Sequence, residues 1–247
     1  MTRQIVSYLD CCQNRDKSRI RGYLYINAPS HTQARVWILA RCLNESSLVK
    51  RFFEWPRITS LVHTVVGITG ASGLRYGVRL LECLKHETTV VVSAEAAAIA
   101  EGELGVSKRE IEDKAEHHYE NDDLSAPLAS GSFRFDALVI VPCSMSTLSK
   151  ISCGVADNLI TRTASVALKE RRKLVLVPRE TPLSTIHLQN MLRLSEAGAV
   201  IMPACPAFYP SPENVDDVVD FIVGRILDMV GQEHDLFRRW NGGYGQL

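Results

Sequence analysis

From His63 onward, short apolar runs alternate with longer stretches in which apolar residues recur at helical spacing. The apolar runs predict five strands, at 63–68, 89–92, 136–141, 173–177 and 199–202. The helical spacing predicts helices at 74–84, 94–101, 155–170 and 214–230, with a short one opened by the capping pair Ser107 and Glu110. Strands that alternate with helices are typical of a parallel sheet covered on both faces. The pattern therefore predicts a single α/β domain with a doubly wound parallel sheet.

The first 62 residues show only weak periodicity and differ in charge from the rest of the chain. They contain ten basic and four acidic residues, whereas the remainder contains 18 basic and 24 acidic ones. We interpret 1–62 as an N-terminal extension and 63–247 as the domain. Three interpretations of the extension remain open: a mitochondrial targeting segment, a poorly ordered tail, or a stretch upstream of a misassigned start. Its acidic residues, such as Asp10 and Glu45, are unusual for a targeting segment.

The overall composition narrows the function classes. The chain of 247 residues is 46% hydrophobic and 23% charged, with a formal net charge of zero. Without a net charge, no overall field favours nucleic acid or an anionic membrane. The seven cysteines form no paired C-x-x-C motif, which predicts free thiols in a reducing compartment and argues against a zinc site. No apolar stretch approaches the ~20 residues that span a bilayer, so we expect neither a metal nor a membrane span.

A glycine-rich stretch, GITGASGLRYG at 67–77, follows the first predicted strand. A loop between a strand and a helix in this position offers backbone N–H groups to an anion. The stretch lacks the G-x-G-x-x-G fingerprint, and the second predicted strand is followed by Ser93 and Ala94 rather than by the acidic residue that binds a ribose. A dinucleotide is therefore disfavoured, as is nucleoside triphosphate hydrolysis, because no Gly-Lys-Ser motif is present. A mononucleotide site and a simple tight turn both remain open.

Two more polar loops are predicted at the same edge of the sheet. PCSMSTLSKISCG follows the strand at 136–141 and carries hydroxyl side chains that can surround a phosphate or a heterocycle with neutral donors. Arg179 and Glu180 directly follow the strand at 173–177. Taken singly, the hydroxyls are equally explained as helix caps and the charged pair as a solvated surface pair. His187 is either a base or a structural hydrogen bonder, and we leave it unassigned. Loops of this kind at one edge favour a ligand site there.

Several long motifs resemble one enzyme family, the flavin prenyltransferases of the UbiX type. They run in order from about 63 to 242 and comprise TGASG, PCSMSTL, the stretch from NLITRTASVALKERRKLVLVPRETPLSTIHLQNM to PACPAFY, and a terminal RW. Residues 1–62 have no counterpart in the resemblance. The resemblance implies a flavodoxin-like, Rossmann-like three-layer fold that binds FMN, in a homododecamer built from trimers.

The activity that the resemblance implies is prenyl transfer to a flavin. Reduced FMN would be alkylated at N5 by the dimethylallyl group of dimethylallyl phosphate, and a second bond to C6 would close a fourth ring. The product, prenylated FMN, would serve a UbiD-type decarboxylase that acts on aromatic or α,β-unsaturated acids, including the ubiquinone precursor. A monophosphate leaving group held by cations needs no Mg²⁺, and the sequence has no carboxylate cluster for one. Whether the donor is the monophosphate or the diphosphate remains open.

The resemblance also implies roles for individual residues. FMN would be contacted by Gly70, Ala71, Ser72, Ser93, Ser144, Met145, Ser146, Thr147 and Arg179. The prenyl phosphate would be held by Lys169, Arg179, Tyr209 and Arg225. Ser72 and Glu180 would form the acid/base pair that removes the flavin C6 proton, and the Trp240 ring would stabilise positive charge on the prenyl group. Arg162, Lys169 and Tyr209 would complete the catalytic set.

The sequence departs from the family pattern in places, and other functions remain open. Ala94 stands where the family often has Lys, and Glu103 matches an active-site acid by spacing, although Glu101 is close enough to leave the register unsure. The stretch APLASGS at 126–132 resembles a loop that meets the active site of a neighbouring subunit, which implies an oligomer. The alternatives are an FMN-dependent decarboxylase of the phosphopantothenoylcysteine type and a flavin carrier without chemistry. We expect a cytoplasmic protein, or a mitochondrial one if the extension is a targeting segment.

Overall fold

The computed structural model describes residues 63–242 and two short strands nearer the N-terminus, Ser7–Tyr8 and Tyr23–Leu24, which pair antiparallel. The chain divides into two units, Met1–Ile58 and Thr59–Leu247. Apart from those two strands, the predicted extension at 1–62 lies outside the described residues. The sheet and helices described below belong to the second unit.

Six parallel strands form the central sheet. They are β1 (Thr64–Ile68), β2 (Thr88–Val92), β3 (His117–Glu120), β4 (Ala137–Cys143), β5 (Lys173–Pro178) and β6 (Val200–Ile201). Their order across the sheet is β3-β2-β1-β4-β5-β6. The five predicted strands correspond to β1, β2, β4, β5 and β6, and their order alone is the 2-1-3-4-5 order of flavodoxin-like folds. The winding of the chain reverses between β1 and β4, which is where such sheets bind ligands.

Seven helices within the described residues cover the two faces of this sheet. They are α1 (Leu74–Cys83), α2 (Ala94–Leu104), α3 (Lys108–Glu112), α4 (Met145–Ser152), α5 (Leu159–Lys169), α6 (Thr185–Glu196) and α7 (Val215–Val230). Successive strand residues point to opposite faces, so Val139 packs with α1 and α7 whereas Ile140 packs with α4 and α5. The result is the predicted three-layer arrangement, with one apolar core on each face of the sheet.

Three details of the predicted elements are wrong. Strand β3 was not predicted because its sequence, HHYE, lies mostly exposed at the sheet edge and lacks apolar alternation. Most of the predicted hydroxyl-rich loop is helix α4, whose buried residues Met145, Leu148 and Ile151 recur every three residues. The predicted helix at 155–170 begins only at Leu159, after Asn158 caps it. Polar surface residues hid the first two patterns, whereas the exposed apolar side chain of Val155 extended the third one too far.

Substitution of Gly77 by alanine is expected to lower the free energy of unfolding by about 1–3 kcal/mol, the usual cost of overpacking a core. Gly77 lies in α1, and a Cβ added there would come within 2.6 Å of the Val141 carbonyl oxygen. Gly102→Ala in α2 is the matched control, because an added Cβ meets nothing within 4 Å and helix propensity alone predicts a gain of up to about 1 kcal/mol. Urea unfolding measures both. Equal stabilities for the two variants would contradict this packing.

Candidate active site

A single threonine ties together the loops that follow β1 and β4. The Thr69 hydroxyl donates to the Pro142 carbonyl at 2.9 Å and accepts from the Ser144 N–H at 2.7 Å. The Thr69 N–H also donates to the Pro142 carbonyl, at 3.2 Å. The Thr69 side chain is buried, so these hydrogen bonds fix the loop after β1 against the loop after β4, at the edge of the sheet where the winding of the chain reverses. Sequence reasoning missed Thr69, although its place as the first residue after a buried strand was a usable signal.

Three helices begin at the same cavity. The cap residues Ser93 of α2, Ser144 of α4 and Asn158 of α5 all line it. Each side-chain oxygen accepts a backbone N–H of its own helix, at 3.1, 3.2 and 3.0 Å respectively. The remaining N–H groups and the positive ends of three helix dipoles face one space, which favours an anion.

The cavity has a volume of about 260 Å³. Five of the residues predicted to contact FMN line it: Gly70, Ser93, Ser144, Ser146 and Thr147. Sequence reasoning did not assign the other lining residues, which are Thr69, Glu95, Asn121, Lys150, Asn158 and Ile160. Two further predicted contacts, Ala71 and Met145, adjoin these residues in the chain but are themselves buried. Neutral hydroxyl and amide groups with an anion-binding end suit a mononucleotide such as FMN.

The glycines of the first loop bring its backbone close to neighbouring elements. A Cβ on Gly70 would lie 2.6 Å from the Glu95 Cβ, so only glycine lets the loop pack against the start of α2. Gly73 caps α1 with a φ of 98°, which is the left-handed region. These two constraints explain why glycine stands at both positions of the stretch.

Arg179 and Glu103 meet on the loop that carries Ser72. The Arg179 Nε donates to the Ser72 carbonyl at 3.1 Å, and the Glu103 carboxylate accepts the Gly73 N–H at 3.0 Å. Partial burial by itself would raise the pKa of Glu103, but hydrogen bonds from Ser72, Gly73 and Leu74 and the charge of Arg179 lower it overall. Glu103 is therefore a carboxylate held against this loop, and the structure selects it over Glu101.

Glu180 follows Arg179 in the chain and is exposed. Its carboxylate accepts the Thr181 N–H at 3.0 Å. Ser72 forms its hydrogen bond with the Glu103 carboxylate in this structure, and the acid/base pair of Ser72 and Glu180 stays a prediction. His187 accepts the Ser184 N–H at 3.4 Å in the capping box of α6, which is a structural role.

The aromatic residues and Arg225 lie around α7. The Tyr209 ring packs edge-to-face against Trp240, with centroids 5.6 Å apart, and against Phe221 at 5.9 Å. The structure therefore places Tyr209, predicted to hold the prenyl phosphate, beside Trp240, predicted to stabilise charge on the prenyl group. Arg225 donates instead to Asp228 on its own helix, at 3.0 Å.

Arg162 and Lys169 both lie on α5. The Arg162 Nε donates to the Ala129 carbonyl at 2.9 Å. Lys169 is the last residue of α5, shortly before β5 begins, and it pairs with Glu170. Arg179 follows the opposite end of the six-residue strand β5, so the length of that strand, about 20 Å at ~3.3 Å per residue, lies between the backbones of the two residues. Within one chain, these two predicted phosphate ligands do not converge.

Within residues 63–242, no group of three or more His, Cys, Asp or Glu side chains is arranged to hold a metal ion. No helix in this part of the chain is long and apolar enough to cross a membrane. The cysteines described here, Cys83, Cys143, Cys153 and Cys205, are free thiols. Burial raises the pKa of the Cys143 thiol to about 12, so that residue stays protonated and unreactive at neutral pH.

The chain is similar to known flavin-binding proteins. A family model described as Flavoprotein matches residues 55–227. The flavin prenyltransferase UbiX of Thermoplasma acidophilum is 55% identical over 177 residues, covering 71% of this chain and 98% of that protein. The crystal structure of AnUbiX (PadA1) in complex with FMN and dimethylallyl pyrophosphate is 46% identical, with a TM-score of 0.73, and covers 74% of this chain and 98% of its own.

A second similar structure is a dodecameric FMN-dependent UbiX-like decarboxylase from Escherichia coli O157:H7. It is 48% identical with a TM-score of 0.72, and the match covers 73% of this chain and all of that one. One of these relatives was solved with FMN and the other is FMN-dependent, in agreement with the mononucleotide that the cavity suits.

Proposed function

Because this chain belongs to the flavin prenyltransferases of the UbiX type, within the Flavoprotein family, we propose that it transfers a dimethylallyl group from dimethylallyl phosphate to reduced FMN. The carbon–oxygen bond of the donor breaks and phosphate leaves, while the flavin forms bonds at N5 and C6 and gains one C5H8 unit as prenylated FMN. The observation that carries this proposal is the 55% identity to a curated flavin prenyltransferase across 98% of that protein. The cavity at the ends of β1 and β4 supports it independently.

In this proposal, some residues of the site bind the substrates and others take part in the chemistry. The hydroxyl side chains that line the cavity and the N-termini of α2, α4 and α5 hold the flavin substrate. Arg179 fixes the Ser72 loop and provides a cation for the leaving phosphate. The Trp240 ring, which packs edge-to-face against Tyr209, stabilises positive charge on the prenyl group, where a carboxylate would trap it, and the Tyr209 hydroxyl donates to the prenyl phosphate. Glu103, which binds the Ser72 loop, and Glu180, next to Arg179 in the chain, are carboxylates that can move the flavin proton.

The complete site is proposed to form between subunits of a homo-oligomer. A solved relative is dodecameric, and Lys169 lies at the wrong end of β5 to join Arg179 in its own chain. Large apolar side chains on and beside α6 are exposed here: Leu183, Ile186, Leu188 and Leu192. Such a surface is typical of a contact between copies. A neighbouring chain would then supply Lys169, Arg162 and the loop at 126–132.

The remaining parts of the proposal concern partners and compartment. We propose that FMN acts in its reduced form and without a metal, because cationic side chains take the role that a metal ion would have at a phosphate. The recipient of the product is a UbiD-type decarboxylase. Free thiols at all four described cysteines support a reducing compartment such as the cytoplasm, and the mitochondrial alternative depends on residues 1–62.

Anaerobic incubation of the protein with FMN, dithionite and dimethylallyl phosphate tests the function. Mass spectrometry of the released flavin is expected to show a gain of one C5H8 unit, and that flavin is expected to activate an apo UbiD-type decarboxylase. A parallel reaction with dimethylallyl pyrophosphate identifies the preferred donor. Tight binding of FMN that is released unmodified with both donors would contradict the proposal and favour a flavin carrier.

A further inference from the structure

The charge inside the cavity is concentrated on two side chains. Among the described residues that line it, Lys150 is the one cation and Glu95 the one carboxylate, and the others are neutral. The pKa of Glu95 is lowered by hydrogen bonds from its own backbone and from Ser93, with a contribution from Lys150. Glu95 is therefore ionised at neutral pH and repels an anion. A phosphate dianion that binds here needs a positive charge to offset this repulsion.

Lys150 is placed to supply that charge. Thr147 and Lys150 are three residues apart on α4, and Ser146 and Lys150 are four apart, so all three side chains share one face of the helix. That face lines the cavity and begins at Ser144, where the α4 N-terminus meets those of α2 and α5. The Lys150 side chain is 39% exposed, which leaves its long stem free to change rotamer.

The present partner of Lys150 is one that a stronger anion can displace. Its Nζ donates to Asp157 at 2.8 Å, and the Asp157 side chain is 49% exposed. Exposed pairs of this kind contribute little stability. A phosphate dianion forms a stronger charge-assisted hydrogen bond with an ammonium group than a solvated carboxylate does. Asp157 therefore holds Lys150 at the rim of the cavity without competing effectively once a phosphate arrives.

We infer that Lys150 makes this site selective for a phosphorylated flavin, because its ammonium moves from Asp157 to the terminal phosphate of FMN at the junction of the three helix N-termini. This inference rests on the proposed function and adds a specificity-determining residue to it. Riboflavin has the same ring and ribityl chain but no phosphate, so it gains nothing from Lys150. The role is one of binding and selection, apart from the prenyl transfer itself.

Flavin binding by the whole protein tests this inference directly. Dissociation constants for FMN and riboflavin are measured by quenching of flavin fluorescence. Lys150→Met keeps the apolar stem, removes the charge, and is expected to weaken FMN binding about 10–100-fold, the range for loss of a hydrogen bond to a charged group. Riboflavin binding is expected to change less than about twofold, since no charged contact is lost. Lys150→Arg retains the charge and is expected to preserve selectivity.

Two further variants separate selection from general damage to the fold. Asp157→Asn removes the competing carboxylate and is expected to leave FMN binding unchanged or to tighten it. Lys114→Met removes a lysine that pairs with Glu82, outside the cavity, and is expected to change neither constant. Two results would overturn the inference, provided that the wild type still binds FMN and transfers the prenyl group. One is that Lys150→Met weakens the binding of FMN and of riboflavin equally, and the other is that it changes the binding of neither flavin. Failure of the wild type to bind either flavin would overturn the proposed function along with it.

Discussion

An Arg179→Met variant is expected to lose prenyl transfer by about 10²–10³-fold in kcat, the range seen when one donor to a developing negative charge is removed. The guanidinium is held in place by its hydrogen bond to the Ser72 carbonyl at 3.1 Å. It also contributes to the low pKa of Glu103, which binds the same loop. The substitution therefore removes the cation for the leaving phosphate and loosens the segment that carries Ser72. Single-turnover formation of prenylated FMN measures the effect.

The control for this prediction is Arg75→Met. Arg75 lies on α1 and pairs with Asp216 at 3.1 Å in an exposed ion pair, so its loss is expected to leave turnover nearly unchanged. Arg179→Lys is expected to recover only part of the activity, because an ammonium group lacks the fixed fork of donors that can bind the loop and a phosphate together. Turnover by Arg179→Met close to that of Arg75→Met would remove Arg179 from the active site.

Two inactive variants, Arg179→Met and Lys169→Met, are expected to restore activity when they are co-expressed. In the mixed assembly, the Lys169→Met chain retains Arg179 and the Arg179→Met chain retains Lys169. If random assembly places Lys169 of one chain against Arg179 of another, about one quarter of the sites are complete. Each variant alone is expected to be inactive, because every site lacks one cation. The assay compares turnover of the mixed assembly with that of each variant and of the wild type.

The matched control co-expresses a chain carrying Arg179→Met with a chain carrying Glu180→Gln. These adjacent residues follow the same strand, so they enter any site from the same chain and no mixed assembly can complete one. Activity is therefore expected to stay at the level of the single variants. Absence of recovery in the first mixture, with mixed assemblies confirmed by mass spectrometry, would contradict a shared site. Equal recovery in both mixtures would also contradict it.

Much of the candidate site could be predicted from the sequence, because the chemistry lies where strands end. Gly70, Ser93, Ser144 and Thr147 each follow a buried apolar run closely, and all of them line the observed cavity. Glu103 illustrates the limit of this reasoning. Its spacing from Ser93 left two candidate glutamates, and only the packing of α2 against the loop after β1 places Glu103 on Gly73.

By itself, the sequence determined the α/β class, the positions of five of the six strands and the loops that carry the chemistry, because apolar periodicity is a local signal of burial. The edge strand β3 escaped this signal, since strand pairing can stabilise an exposed segment that has no apolar face. Only the tertiary structure decided which functional side chains meet. Ser72 and Arg179 are 107 positions apart yet hydrogen-bonded, whereas Lys169 and Arg179, ten positions apart, lie at opposite ends of β5. The physical reason is that an extended strand carries nearby residues to opposite edges of a sheet, while parallel strands return distant ones to the same edge.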